Sequence, residues 1–157
     1  TYVHPDGRPA FGTDFESARA FGGGFGPVKI KGKWGAIDAT GKLVVPALYD
    51  DAWAPHSQGT PLLVKKGRQW GFVDAEGQEV VPPKYYFCYS FCSGYAAVQD
   101  PNFPLGHYYF INAIGARLPV GTFDEAYPFV LDRAWVKLER ENRWITPQGK
   151  VVFSWRS

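Results

Sequence analysis

The residues of this chain whose types could do chemistry are three histidines, two cysteines and a recurring set of carboxylates. His56-Ser57 follows closely on Asp50-Asp51, which supplies the residue types of an acyl-transfer triad. No nucleophile elbow and no oxyanion-forming glycine pattern flanks Ser57, so the pair reads as a solvated loop. His4 and His107 stand at or beside turns, in different places of their segments. Cys88 and Cys92 form a Cys-x3-Cys pair with no second pair and no nearby histidine. A structural zinc needs about four ligands, so no metal is expected. As thiols the two cysteines read as small buried hydrophobes. As a disulfide they would point to an oxidising compartment, and both readings stay open. Gly22-Gly23-Gly24 lacks the Lys-Ser/Thr of a phosphate loop, and no helical pattern follows it. No cofactor and no catalytic residue is assigned, and the chain is not expected to be an enzyme.

Glu16, Asp50-Asp51 and Asp124-Glu125 differ from the histidines in one respect, which is that they recur. A catalytic carboxylate pair should occur once, in a unique pocket that pushes its pKa values apart. Carboxylates that recur at one phase read instead as turn caps or as an exposed acidic stripe.

The phase comes from an internal repeat, the feature to seek first. Turn glycines Gly7, Gly41, Gly77, Gly115 and Gly149 stand 34, 36, 38 and 34 residues apart. A second landmark, an aromatic followed by small or acidic residues, begins at Phe15, Tyr49, Tyr85 and Phe123, spaced 34, 36 and 38. The two series agree, so all insertions fall outside the segment between the landmarks. Approximate units are 1–27 (partial), 28–61, 62–95, 96–133 and 134–157, in a single array.

Within one unit, Leu62-Leu63-Val64-Lys65 reads as a strand and Lys66-Gly67-Arg68-Gln69 as a turn. Trp70-Gly71-Phe72-Val73-Asp74 reads as a second strand, Ala75-Glu76-Gly77-Gln78 as a turn, and Glu79-Val80-Val81 as a third strand. A type I turn closed by a left-handed glycine suits the second link. Proline lacks the ladder donor, so Pro46 and Pro82 are expected to end the third strand. Loops of about 12–15 residues then remain, a length that invites a functional explanation. The fold expected is all-β: tandem three-stranded antiparallel repeats, each a hairpin plus a long loop, in an open superhelical or propeller-like array. The 18 glycines and 13 prolines agree, since so many breakers exclude long helices.

Composition bounds the partners. Net charge is +2 with both signs scattered, so the basic stripe that phosphate-backbone binding needs is missing and no nucleic acid is expected. No apolar run approaches the roughly 20 residues of a membrane span. Met is absent and the first residue is Thr1, inside a unit, so the sequence is expected to be a processed protein or a piece of a longer one.

Lys33-Trp34-Gly35-Ala36-Ile37-Asp38 and Gln69-Trp70-Gly71-Phe72-Val73-Asp74 resemble the WG (KWG) β-repeat of bacterial proteins. The likeness continues through Thr40-Gly41-Lys42-Leu43-Val44-Val45-Pro46 and Tyr49-Asp50-Asp51-Ala52 and covers nearly the whole chain. Two units match closely. Tyr108-Tyr109 and Asn142-Arg143 replace Trp-Gly in the others. The resemblance implies a bacterial β-repeat scaffold and carries no shared catalytic motif. Trp34 and Trp70 are expected in the core, with the indole packed where glycine leaves the backbone bare.

Trp53, His56, Phe87, Tyr89 and Phe103 are not all explained by the shared core pattern and form the candidate binding set. Aromatics make strong contacts with proteins and with sugar faces. The expected function is therefore a non-catalytic binding or scaffold module that engages a protein through its variable loops. The alternative is carbohydrate or cell-wall binding. A flat line of ring faces would favour sugar, and a compact patch with a polar rim would favour protein.

Overall fold

The computed structural model describes residues 15–102 and 107–157; the turn at Gly7, His4 and the candidate Phe103 lie outside them. Among the described residues there is no helix, and the strands form four small antiparallel sheets. The first sheet holds β1 (Ser17–Ala18), β2 (Gly26–Ile30), β3 (Lys33–Ile37) and β4 (Leu43–Tyr49) in chain order. The second holds β5 (Asp51–Trp53), β6 (Leu62–Lys66), β7 (Gln69–Val73) and β8 (Glu79–Tyr85). The third is three-stranded, from β9 (Phe87–Cys88), β10 (Tyr95–Gln99) and β11 (Tyr108–Asn112). The last holds β12 (Glu125–Ala126), β13 (Ala134–Leu138), β14 (Glu141–Ile145) and β15 (Val151–Arg156).

The three strands expected of a unit are present in the first, second and last sheets, where a short one joins them, whereas the third sheet has the short strand and only two of the three. Only Asp50 separates β4 from β5, and only Tyr86 separates β8 from β9. Part of each apparent loop is therefore a strand that pairs with the next unit, as Ala52 does with Val64 and Cys88 with Val98. The loops that remain are shorter than expected, at 54–61, 89–94 and 127–133.

Pro46 and Pro82 do not end their strands, contrary to the sequence expectation: β4 and β8 run through them to Tyr49 and Tyr85. The reason is a bulge. Ala36 pairs with Val45 and Trp34 with Tyr49, so the residues around Pro46 bow outward and form no regular pairs there. Phe72–Val81 and Trp70–Tyr85 repeat this arrangement. A proline costs no ladder bond at such a position.

The bulge also explains the glycine of the Trp-Gly pair. A Cβ on Gly71 would stand 2.5 Å from the Val81 carbonyl oxygen and 2.7 Å from the Pro83 nitrogen. A Cβ on Gly35 would collide in the same way with Val45 and with the backbone of Pro46 and Ala47. The room beside glycine is filled by the bulged strand of its own sheet and not, as expected, by an indole. Where the glycine is lost, the neighbouring strand changes. Tyr109 occupies that position in the third sheet, and its outer segment is reduced to isolated bridges at Arg117 and Phe123. Arg143 occupies it in the last sheet, where Arg143 pairs with Ser154 and Asn142 with Trp155 in plain alternation.

One packing scheme joins successive sheets. Ala36, Val45 and Tyr49 of the first pack on Ala52, Leu62, Val64 and Val73 of the second. Phe72, Val81 and Tyr85 meet Cys88, Ala96, Val98 and Ile111. Phe110 and Phe123 meet Ala126, Ala134, Val136 and Ile145. The second and third sheets thus each give one apolar face to the sheet before and the other to the sheet after, as in stacked repeats. Among the described residues the sheets do not close into a ring.

Candidate functional site

The recurring carboxylates are structural. Asp50 lies between two sheets and accepts the Gly67 amide at 2.7 Å, capping the β6–β7 turn. Glu16 accepts the Gly32 amide at 3.1 Å, and Asp124 accepts the Glu139 amide at 2.6 Å. These are turn caps, one of the two roles the sequence offers. The third sheet has Tyr86 at this position, and there the turn between β10 and β11 is expanded. Hydrogen bonds from the Lys33 ammonium and the Gly67 amide hold the Asp50 carboxyl below its ordinary pKa. A second set shapes the other turn. Asp38 accepts the amides of Thr40 and Lys42, Asp74 those of Glu76 and Gln78, and Asn112 those of Ile114 and Ala116.

Ser57 belongs to loop structure: its hydroxyl lies 3.1 Å from that of Thr60 and accepts the Gly94 amide at 3.2 Å. His56 is exposed, and its backbone amide donates to the Phe91 carbonyl, which ties two loops together. Cys88 and Cys92 are free thiols. Cys88 is buried where other units have Ala52 and Ala126, and burial pushes its pKa well up.

Of the five candidate residues, four come together. Trp53, His56, Phe87 and Tyr89 line one depression of about 340 Å3, with Leu63, Trp70, Cys88, Ser90 and Pro128. Trp53 ends β5 and Phe87 opens β9, so the two short edge strands bring the loop aromatics to one place. The rings meet edge to face. Phe87 lies 5.0 Å from Tyr89 at 88° and 6.5 Å from Tyr108 at 82°. Trp53 is held on its other side, where the Arg19 guanidinium stacks 3.7 Å from Trp53 and 4.1 Å from Trp34. Arg19 donates to Asp51 and to the Ala52 carbonyl, and the Trp53 indole N–H donates to Asp51 at 3.1 Å. An arginine clamped in this way makes a rigid wall.

Trp70, expected in the core with Trp34, is only half-buried and lines the depression, whereas Trp34 is buried. Tyr127 was missed as well. Its ring lies 6.1 Å from Tyr89 and 5.0 Å from Trp135, extending the aromatic band into the last sheet. The repeat carries a signal for it: Arg19, Trp53, Tyr89 and Tyr127 are spaced 34, 36 and 38, the same series as the landmarks.

The fold has relatives among solved structures. Kluyveromyces lactis Hsv2, a β-propeller, superposes with a TM-score of 0.58 at 12% identity, over 91% of this chain and 52% of that one. The form of that protein with loop 6CD replaced by a Gly-Ser linker gives 0.52 at 12% identity, over 85% and 50%. Kluyvelomyces marxianus Hsv2 gives 0.51 at 13% identity, over 85% and 46%. At these identities the likeness is one of fold, and the chain spans about half the length of those structures. No curated protein matches the sequence. The family model of the WG containing repeat matches three times, at residues 1–34, 34–67 and 70–100. The chain belongs to the WG-repeat family.

Proposed function

We propose that the chain is a non-catalytic binding module that takes an apolar side chain of a protein partner into the depression between its second and third sheets. The observation that carries this is the convergence of Trp53, His56, Phe87 and Tyr89, from two different units, on one half-open cleft walled by Trp70 and Leu63. Buried aromatic anchors in such pockets dominate protein interfaces. The ring geometry at Phe87 supports this reading over sugar binding. A sugar stacks on coplanar ring faces, and Phe87 stands nearly perpendicular to both ring neighbours. The fixed parts of the unit are consumed by structure: the glycine by the bulge and the carboxylates by turns. The variable segments are left to recognise a partner.

The test is comparative capture from source-cell lysate on the immobilised chain and on Phe87→Ala, with a glycan array and peptidoglycan cosedimentation run beside it. A protein retained by the parent and lost from the variant supports the proposal. Retention of a defined glycan by the parent, with no protein lost on substitution, would favour the carbohydrate alternative.

A further inference from the structure

The cations of this chain are scattered along the sequence but not in space. The end of the β2–β3 hairpin carries Lys29, Lys31 and Lys33, and the end of the β6–β7 hairpin carries Lys65, Lys66 and Arg68. Neither stretch, 29–33 or 65–68, contains a carboxylate. Asp50 holds the two hairpin ends side by side, since it accepts the Lys33 ammonium at 2.5 Å and the Gly67 amide at 2.7 Å. With Glu16 on the Gly32 amide, two carboxylates stand against six cations. That excess is larger than the +2 of the whole chain, so the rest of the molecule is net negative. The matching stretch of the last sheet, 137–141, balances Lys137 and Arg140 with Glu139 and Glu141. Among the described residues, Lys31, Lys66 and Arg68 are exposed and enter no ion pair.

This basic edge runs into the depression between the second and third sheets. Lys65 pairs across its hairpin with Trp70, and its ammonium lies 5.3 Å from the Trp70 ring, which forms part of the depression wall. The carboxylates near the aromatic rings are offset locally, Asp51 by Arg19 and Glu125 by Lys137. On the protein-binding reading of the depression, we infer that the segment it takes is acidic: an extended peptide whose apolar side chain enters the depression while its flanking Asp or Glu residues lie along Lys65, Lys66 and Arg68. An extended chain advances about 3.3 Å per residue, so carboxylates within a few positions of the anchor reach the hairpin end. Charges placed in this way choose the partner and speed its encounter more than they add affinity.

The geometry favours peptide carboxylates over two other anions. Phosphate is held well by a cradle of backbone amides, and here the amides of Gly32 and Gly67 are already taken by Glu16 and Asp50. An anionic membrane would need apolar groups that project beside the cations, whereas Trp70 and Phe87 line a concavity.

The probe is a displayed library of random short peptides, selected on the immobilised full chain; enriched peptides are then synthesised and titrated by fluorescence polarisation. Titrations compare the parent, Phe87→Ala, the pair Lys66→Gln with Arg68→Gln, and the reversed pair Lys66→Glu with Arg68→Glu, with folding checked by circular dichroism. The expected result is a consensus of one large apolar residue flanked by Asp or Glu, with binding lost on Phe87→Ala. The glutamine pair should weaken binding about tenfold and the glutamate pair more, and added salt should narrow the difference. Selected peptides that carry the apolar anchor without acidic flanks, or that ignore both pairs, overturn the acidic partner and leave the depression as a protein site. An empty selection, or peptides indifferent to Phe87→Ala, overturns both. Vesicles of phosphatidylserine in phosphatidylcholine and a DNA duplex are run beside the peptides. Binding of either that the glutamate pair abolishes, with no acidic peptide selected, assigns the basic edge to that partner instead and overturns the inference.

Discussion

Gly71 lies against the Val81 carbonyl so closely that a Cβ would stand 2.5 Å from its oxygen. Gly71→Ala and Gly35→Ala should each destabilise the chain by about 1–3 kcal/mol, the usual cost of overpacking. Urea denaturation is the measurement. Gly67 provides the contrast: nothing lies within 4 Å of the Cβ site and φ is +63°, so Gly67→Asn should shift the midpoint far less.

The Asp50 carboxyl, held below its ordinary pKa by Lys33 and the Gly67 amide, links turn capping to pH. A carboxyl depressed in the folded state adds stability above its unfolded pKa, about 3.9 for Asp. That contribution is lost as pH falls through the folded value. Melting curves from pH 7 to pH 2.5 should therefore show Asp50→Asn less stable at neutral pH, with the gap to the parent closing below about pH 4. A gap that stays constant down to pH 2.5 would remove the ionised cap from the account.

Cys88 is buried with its thiol pKa raised, whereas Cys92 is partly exposed. A thiol reagent should titrate one cysteine readily in the native chain and both after unfolding. Cys88→Ala should fold, since Ala52 and Ala126 occupy the same position in other units.

Leu131 holds φ at +59° in the tight turn between Val130 and Arg133 and is 84% exposed. A branched side chain at positive φ costs roughly 1 kcal/mol and here loses no packing if removed. Leu131→Gly should raise the melting temperature by a few degrees, by about 1 kcal/mol of relieved strain partly offset by backbone entropy. An unchanged or lowered melting temperature would contradict it.

Much of the fold was legible because repetition made it so. Among the described residues Gly41, Gly77, Gly115 and Gly149 stand in the second turn of their units, and all take positive φ. Glu16, Asp50 and Asp124 cap turns in three units, and their recurrence already argued against catalysis. The short strands were not legible. Ser17–Ala18 and Asp51–Trp53 are too brief to show alternation and exist only through pairing with the next unit. Pro46 misled because a bulge, which no local signal announces, removes the need for its N–H. The depression was half legible: Trp53, Phe87 and Tyr89 stood out as aromatics the core pattern left over. The part of Trp70 was hidden by its match to Trp34, although its neighbours leave its ring half open.

The central claim is that the Trp53–Phe87–Tyr89 depression anchors a protein. Its most direct test is quantitative mass spectrometry of what the immobilised chain retains, set against folded Phe87→Ala. Truncating an aromatic that a partner covers at an interface hot spot typically costs at least about 2 kcal/mol, so a true partner should fall more than tenfold in occupancy on the variant at sub-saturating concentration. Equal retention of every captured protein by parent and variant would contradict the claim.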